Sequence, residues 1–356
     1  MKAIELLKNF REKFEPFLRE YFDEKFRQAG KIDPTTQEAV GMIRDYTMSG
    51  GKRIRPAFLY YSYLATGGQD SDEILKISMA IELLHSFLLI HDDIIDQDTS
   101  RHGVATIHER YKKVAKKYSL AKDKTHFGNS MAIVAGDMAL SMAYEIISNT
   151  NFSNKIIIKV LDKFQKIIFL TGSGEMLDIA MSYQSETTEK QILEMHERKT
   201  ARYTFEGPIH LGCLLAGADK PYFNLFSKYA LPLGKAFQIK DDILGIFGTE
   251  KETGKTIGSD LAESKKTLLV LKALEKRNKE QKKFIKQCLG KKSISKKEIE
   301  KFRKIIRETG SLEYSEKLAR NFAQDALDAL AKINFKNNQA KEFFTGIVDY
   351  IINRKV

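Results

Sequence analysis

An all-α bundle of long antiparallel helices around a central cavity is the fold this sequence predicts, and three observations predict it. Apolar residues recur at three- and four-residue spacing along nearly the whole chain, the period of an amphipathic helix. No segment sustains the two-residue alternation of a strand. The periodic segments are long and their connections short, which makes successive helices antiparallel neighbours. No composition shift marks a linker and no repeat of fixed period is present, so residues 1–356 read as a single domain.

The elements follow in order. Ile74, Ile77, Ile81, Leu84 and Leu88 form one stripe, within a helix expected over 71–97. Further helices are expected near 129–150 and 153–183, the second carrying Ile157, Val160, Leu161, Phe164, Ile167 and Ile168. Thr188 with Gln191, and Ser295 with Glu298, have capping-box spacing and mark helix starts. The first opens a helix over 188–218, followed by another over 220–247. Gly67-Gly68 and Asp219-Lys220-Pro221 punctuate the pattern as loops.

Composition narrows the partners. The 356 residues are 42% hydrophobic and 30% charged, enough for a sizeable core and unlike a disordered chain. No uninterrupted apolar run reaches the ~18–20 residues of a membrane span, so no stable membrane insertion is expected. Cys213 and Cys288 show no metal-type spacing and suit a reducing, cytoplasmic setting. A net charge of +12 favours anionic partners. Neither zinc-finger spacing nor an aromatic RNA-binding signature accompanies it, and nucleic acid is not expected. Much of the excess lies between Lys272 and Lys304 and reads as a solvated, lysine-rich face.

Two acidic clusters carry chemistry. In His91-Asp92-Asp93-Ile94-Ile95-Asp96, Asp92 and Asp96 stand one helical turn apart with Asp93 beside them. Like charges at the C-terminal end of a helix repel one another and oppose its dipole, so a cation should compensate. The second cluster, Gln238-Ile239-Lys240-Asp241-Asp242, also ends an apolar helix. Either pair alone could be an exposed acidic turn. Two pairs on separate bundle helices suggest facing clusters, and oxygen ligands of this kind suit Mg²⁺ bridging carboxylates to phosphates. Cations are at hand in Gly50-Gly51-Lys52-Arg53-Ile54-Arg55-Pro56, Arg101-His102, Lys199 and Lys255. His85 lies two turns before Asp92 on its face; a lone histidine there is more often a satisfied core position.

With Gly136-Asp137, Lys199-Thr200 and Gly254-Lys255-Thr256-Ile257-Gly258-Ser259-Asp260, these motifs fall in one order over roughly residues 45 to 270. In that order the chain resembles the trans-isoprenyl diphosphate synthases of the polyprenyl synthetase family, most of all those making geranylgeranyl diphosphate. The resemblance implies the isoprenoid synthase fold, a homodimer, and head-to-tail condensation of isopentenyl diphosphate with an allylic diphosphate. Asp92, Asp96 and Asp241 would ligate about three Mg²⁺ ions, with Asp93 and Asp242 supporting them. Arg101, Lys199 and Lys255 would grip the allylic diphosphate. Lys52, Arg55, His85 and His102 would hold isopentenyl diphosphate. Thr200 and Gln238 would turn oxygens toward the developing carbocation. Phe87, Leu88 and Leu84 would floor the chain pocket, one aromatic there implying a C20 product. Farnesyl diphosphate is the runner-up.

Departures from the family pattern are His102, where an arginine is usual, and Gly245, where a third aspartate is usual. A basic stretch from Tyr111 to Asn129 also has no assigned role. Gly245→Asp is expected to be tolerated or mildly activating. A terpene cyclase of the same fold would not need the pocket of Lys52, Arg55 and His85. A catalytically weak regulatory subunit would more usually lose an aspartate motif.

Overall fold

The computed structural model describes residues 2–117, 123–249, 258–276, 278–291 and 293–353. Helices α1 (Lys2–Gly30), α2 (Pro34–Met48) and α3 (Ile54–Ala65) precede α4 (Asp72–Ile95). A ribbon of β1 (Ser100–Arg101) and β2 (Val104–Ala105) then turns the chain into α5 (Ile107–Val114), α6 (Lys124–Ser148) and α7 (Asn154–Tyr183). Next come α8 (Glu189–Met195), a π-helical stretch His196–Glu206, α9 (Gly207–Leu215) and α10 (Lys220–Phe247). The remaining helices are α11 (Ser259–Ala262), α12 (Leu268–Glu275), α13 (Lys279–Cys288), α14 (Lys296–Glu308), α15 (Ser311–Leu330) and α16 (Asn338–Ile352).

Local signals account for the boundaries. Asp33 caps α2, its carboxylate accepting from the Thr36 N–H, with Pro34 at the first helical position. Both capping boxes form, Thr188 with Gln191 and Ser295 with Glu298. Asp72 and Glu73 place negative charge in the first turn of α4, where the dipole favours it. α6 begins earlier than periodicity suggests, because the Asp123 carboxylate accepts from the N–H groups of Thr125 and His126.

Two expectations need correction. The segment expected as one α-helix over 188–218 contains the π-helical stretch, a widening that a 3.6-residue pattern does not reveal. The short ribbon after α4 is also extra to the predicted helices; with two residues per strand it is too short to show alternation. In the basic stretch from Tyr111 to Asn129, Tyr111 is buried and α5 packs along α6, while residues 118–122 lie outside the described region.

One apolar cluster joins α1, α3, α4, α7, the π-helical stretch and α16 through Phe10, Phe14, Phe58, Ile81, Leu84, Phe164, Phe205, Phe343 and Phe344. A second lies under α10, α12, α14 and α15, around Ile239, Ile243, Leu269, Phe302 and Ile306. α4 lies along α6, and α10 runs between α15 and the π-helical stretch. By length and hydropathy α4 and α6 could each cross a membrane, but 67% of the apolar window of α4 is buried in the bundle, and 44% of that of α6. The lysines of α13 and α14 point outward while Ile285, Cys288, Phe302 and Ile306 point in, so that run is a solvated face.

One face of α7 is apolar and uncovered. Ile158, Phe169, Met176 and Tyr183 recur at spacings that return to one side of a helix, and they are 67%, 77%, 73% and 90% exposed. Ile133 and Val134 of α6 are exposed as well.

Candidate active site

The ends of α4 and α10, the start of α3, the π-helical stretch, the β-ribbon and the segment Lys265–Thr267 enclose a cavity of about 1120 Å³. Asp92, Asp241 and Asp242 line it with Lys52, Arg53, Arg55, His85, Arg101, His102, Lys199 and Gln238. Asp92, Asp241, Asp242 and these cations therefore converge on one space, whereas Asp93 and Asp96 are not part of its lining. Lys255 lies outside the described residues.

Within each aspartate pair the two acids are placed differently. Asp92 faces the cavity, where Lys199 Nζ stands 3.4 Å and Arg101 Nη2 3.2 Å from its carboxylate. Asp93 turns inward and is 1% exposed. It accepts from the Tyr46 hydroxyl at 2.5 Å and from Arg101 Nε at 2.7 Å. Burial pushes its carboxyl up to about 6, against the opposing pull of Arg101 and Tyr46. Asp242 is likewise drawn in, Oδ1 accepting from Gln238 Nε2 at 2.9 Å. Asp93 is thus turned away from the cavity, while Asp242 lines it with one carboxylate oxygen tied to Gln238. Asp96 caps α4 and accepts from Lys265 Nζ at 3.0 Å.

The cations are held by these acids. Lys199 reaches Asp178 at 2.8 Å and Glu175 at 2.7 Å as well as Asp92. Burial alone would lower its pKa, but the surrounding carboxylates outweigh that and hold it well above the usual lysine value. Arg101 bonds to Asp92, Asp93 and Asp98 together. Lysine and arginine here supply the positive charge that the acidic cluster requires.

Lys52 and Arg55 depend on a constrained turn. Gly51 has φ of +100° and Arg53 sits in the left-handed region at +54°. The Arg53 side chain is buried and bonds to Glu82 at 2.5 Å, fixing the turn from beneath and sending its neighbours outward. Lys52 then reaches the hydroxyl of Tyr350 on α16. The Arg55 guanidinium lies over the Tyr203 ring at 4.5 Å and meets His85 Nε2 at 3.1 Å. Burial, reinforced by Arg55 and Arg101, holds His85 well below its usual pKa. It is neutral, and Nε2 must accept from Arg55, which only donates. His85 therefore orients Arg55 and adds no charge. His102 is also shifted down, by burial and then by Arg101 and Arg53, so this position lacks the permanent cation that an arginine would bring.

Thr200 Oγ1 donates to Gln238 Oε1 at 2.7 Å, joining the π-helical stretch to α10. The predicted chain-length residues stand elsewhere. Leu84 is fully buried, and Phe87 and Leu88 pack half-buried against the main core. Phe87 meets His91 edge to face at 4.8 Å, and the α4 residue in the cavity wall is Leu89.

Lys265, Tyr350 and Asp178 line the cavity and escaped sequence reasoning, and Asp260, quoted only as the end of a motif, joins them. Lys265 lies near Asp96, Asp260 and Glu263, which outweigh its burial and raise its pKa. Asp260 also corrects the expectation for Gly245. A Cβ on Gly245 would lie 2.6 Å from Asp260 Oδ2, so an aspartate there meets a like charge already in place.

Residues 37–306 match the polyprenyl synthetase family. The chain belongs to that family. Its curated relatives include geranylgeranyl diphosphate synthase of Sulfolobus acidocaldarius, 36% identical over 309 residues, covering 86% of this chain and 88% of the relative. A geranylfarnesyl diphosphate synthase of Aeropyrum pernix is 30% identical over 310 residues, 86% of this chain and 91% of its own. Among solved structures, geranylgeranyl pyrophosphate synthase of Corynebacterium glutamicum, complexed with isoprenyl diphosphate and magnesium, superposes with a TM-score of 0.92. Identity there is 27%, and all of both chains is covered. Family membership makes the chain a prenyltransferase with the all-α isoprenoid synthase fold.

Proposed function

We propose that this chain condenses isopentenyl diphosphate head-to-tail with allylic diphosphates, with geranylgeranyl diphosphate as its main product. The observation that carries this reading is one cavity lined both by acids of α4 and α10 and by a separate cationic turn with Lys52 and Arg55. Two anionic substrates require two such places. Residues 1–356 act together as one domain, in the cytoplasm.

The donor set fits a divalent cation. Among the described residues no three His, Cys, Asp or Glu side chains converge to cage a metal by themselves. Mg²⁺ commonly binds through one or two carboxylates and completes its shell with substrate phosphate and water. Asp92, Asp96 and Asp241 would hold about three such ions, which supply the charge that makes diphosphate a leaving group. Arg101, Lys199 and Lys265 then exchange carboxylate partners for diphosphate oxygens, and Lys255 adds a further cation. Arg55 and Lys52 orient isopentenyl diphosphate, with His85 and Tyr203 steadying Arg55 and His102 at the rim. Once the allylic C–O bond breaks, the isopentenyl double bond attacks the cation, Thr200 and Gln238 present oxygens to it, and the released proton passes to the departing diphosphate.

Relatives named geranylgeranyl and geranylfarnesyl diphosphate synthases leave the product length of this chain open, and we assign its control to the residues before Asp92. Phe87 stands one to two turns below the acids, outside the present cavity lining, and is assigned as the first aromatic that a chain growing along α4 would meet. Purified protein given isopentenyl diphosphate, an allylic primer and Mg²⁺ should yield C20 product. Phe87→Ala should shift it to C25 or longer, and Leu88→Phe toward C15. Unchanged product length in Phe87→Ala with a lower melting temperature would show that Phe87 only packs the core.

A homodimer is the second part of the reading, supported by the uncovered stripe of Ile158, Phe169, Met176 and Tyr183. A patch of this kind on a soluble enzyme calls for a partner surface. Light scattering should give twice the chain mass, and Phe169→Glu with Met176→Glu should halve it. A monomeric parent protein would remove this assignment.

A further inference from the structure

His196 opens the π-helical stretch and is fully buried. Neither ring nitrogen makes a hydrogen bond among the described residues, and the same holds for Asp242 Oδ2. These orphaned groups are neighbours, His196 Nε2 lying 3.3 Å from Asp242 Oδ2. Leaving two such groups buried and unpaired is costly, whereas a small rotation of ring or carboxylate pairs them. Asp242 Oδ1 is already taken by Gln238 Nε2 at 2.9 Å, and Gln238 Oε1 accepts from Thr200 at 2.7 Å.

His196 and Thr200 are four residues apart on one element, as are Gln238 and Asp242 on the other. His196–Asp242 and Thr200–Gln238 are therefore two rungs between the same pair of helices. Gly234 continues the close approach one turn below; a Cβ there would lie 2.3 Å from the Ala201 Cβ.

We propose that His196 is a positioning residue that anchors Asp242, and through it the Gln238–Thr200 pair. With both oxygens of Asp242 occupied inside the protein, Asp241 is the acid of this pair that serves the diphosphate site. The orientation of the Gln238 amide follows: Nε2 must face the carboxylate, so Oε1 faces the Thr200 hydroxyl. Without the His196 rung, Asp242 can turn toward the cavity and release Gln238, changing the ligand set for metal and diphosphate. This inference rests on the proposed prenyl-transfer reading, and its test separates the two.

The test compares His196→Leu, which keeps bulk without a donor, with His196→Gln, whose amide nitrogen reaches as far as Nε2. Removing a buttress of this type costs about 10- to 100-fold in metal affinity or activity. His196→Leu should lower kcat and raise the half-saturating Mg²⁺ concentration within that range, with KM for isopentenyl diphosphate unchanged. Calorimetry with geranyl diphosphate and Mg²⁺, without the second substrate, should show a matching loss of affinity. His196→Gln should restore both. Should the leucine variant not fold, His196→Asn, whose amide falls short of Asp242, should show the same losses. Wild-type Mg²⁺ dependence and geranyl diphosphate affinity in a folded His196→Leu or His196→Asn protein would overturn the proposal while leaving the reaction in place. Full activity in Asp241→Ala would overturn the reading beneath it.

Discussion

Asp92→Ala and Asp241→Ala are each expected to lower turnover by about 10³-fold or more, at the upper end of what one electrostatic contact contributes to catalysis. Both side chains line the cavity, and they come from helices that reach it from different parts of the chain. Neither can be replaced by its neighbour, because Asp93 is buried against Tyr46 and Arg101 and Asp242 is bound to Gln238. The loss should not be a folding effect. Asp92 shares the end of α4 with Asp93 and Asp96, where the helix dipole opposes anions. Removing one charge relieves that repulsion, so the melting temperature of Asp92→Ala should stay level or rise while activity falls. Full activity in Asp92→Ala, or in wild type with EDTA, would sink the metal-dependent mechanism. A large fall in melting temperature would reassign Asp92 to structure.

What the sequence revealed and what it concealed divide along physical lines. The long helices were legible because each buries a stripe at its own period, as Ile74, Ile77, Ile81 and Leu84 do in α4. Capping boxes were legible because both partners lie within four residues. Asp92 and Asp241 were legible because carboxylate pairs at the ends of apolar helices are out of place unless something cationic meets them. The π-helical stretch was not, since its side chains remain amphipathic whichever helix they wind. Nor could spacing reveal that Arg53 closes on Glu82, 29 residues away, or that Lys265 returns to Asp96 across 169 residues. His196 carried no signal at all, because its meaning lies in a carboxylate on another helix. Asp260 beside Gly245 is a similar case: each was visible in its own motif, and their proximity was not.

Lys199→Ala should be the next most damaging change, with a loss of about 10²- to 10³-fold in turnover. Lys199 is the one residue that touches Asp92, Glu175 and Asp178 among the described contacts. Its removal leaves three carboxylates around a half-buried space. Glu175 is already pushed up by burial, with Lys199 holding it back, so its pKa should climb further in the variant. The backbone beneath Lys199 offers a test that removes no charge. A Cβ on Gly174 of α7 would lie 2.4 Å from the Lys199 backbone nitrogen and 2.8 Å from the Arg198 carbonyl carbon. Backbone cannot yield as a side chain can, so Gly174→Ala must push the π-helical stretch away from α7. Overpacking of this kind costs about 1–3 kcal/mol in stability. Because Lys199 and Thr200 move together, kcat should fall as well, and KM for isopentenyl diphosphate should change little, since Arg55 and Lys52 are carried by α3 and the turn before it. Steady-state kinetics and thermal melts on both variants decide the matter. If Gly174→Ala lowers the melting temperature but leaves kcat untouched, the position of Lys199 is not critical, and its charge alone accounts for whatever Lys199→Ala loses.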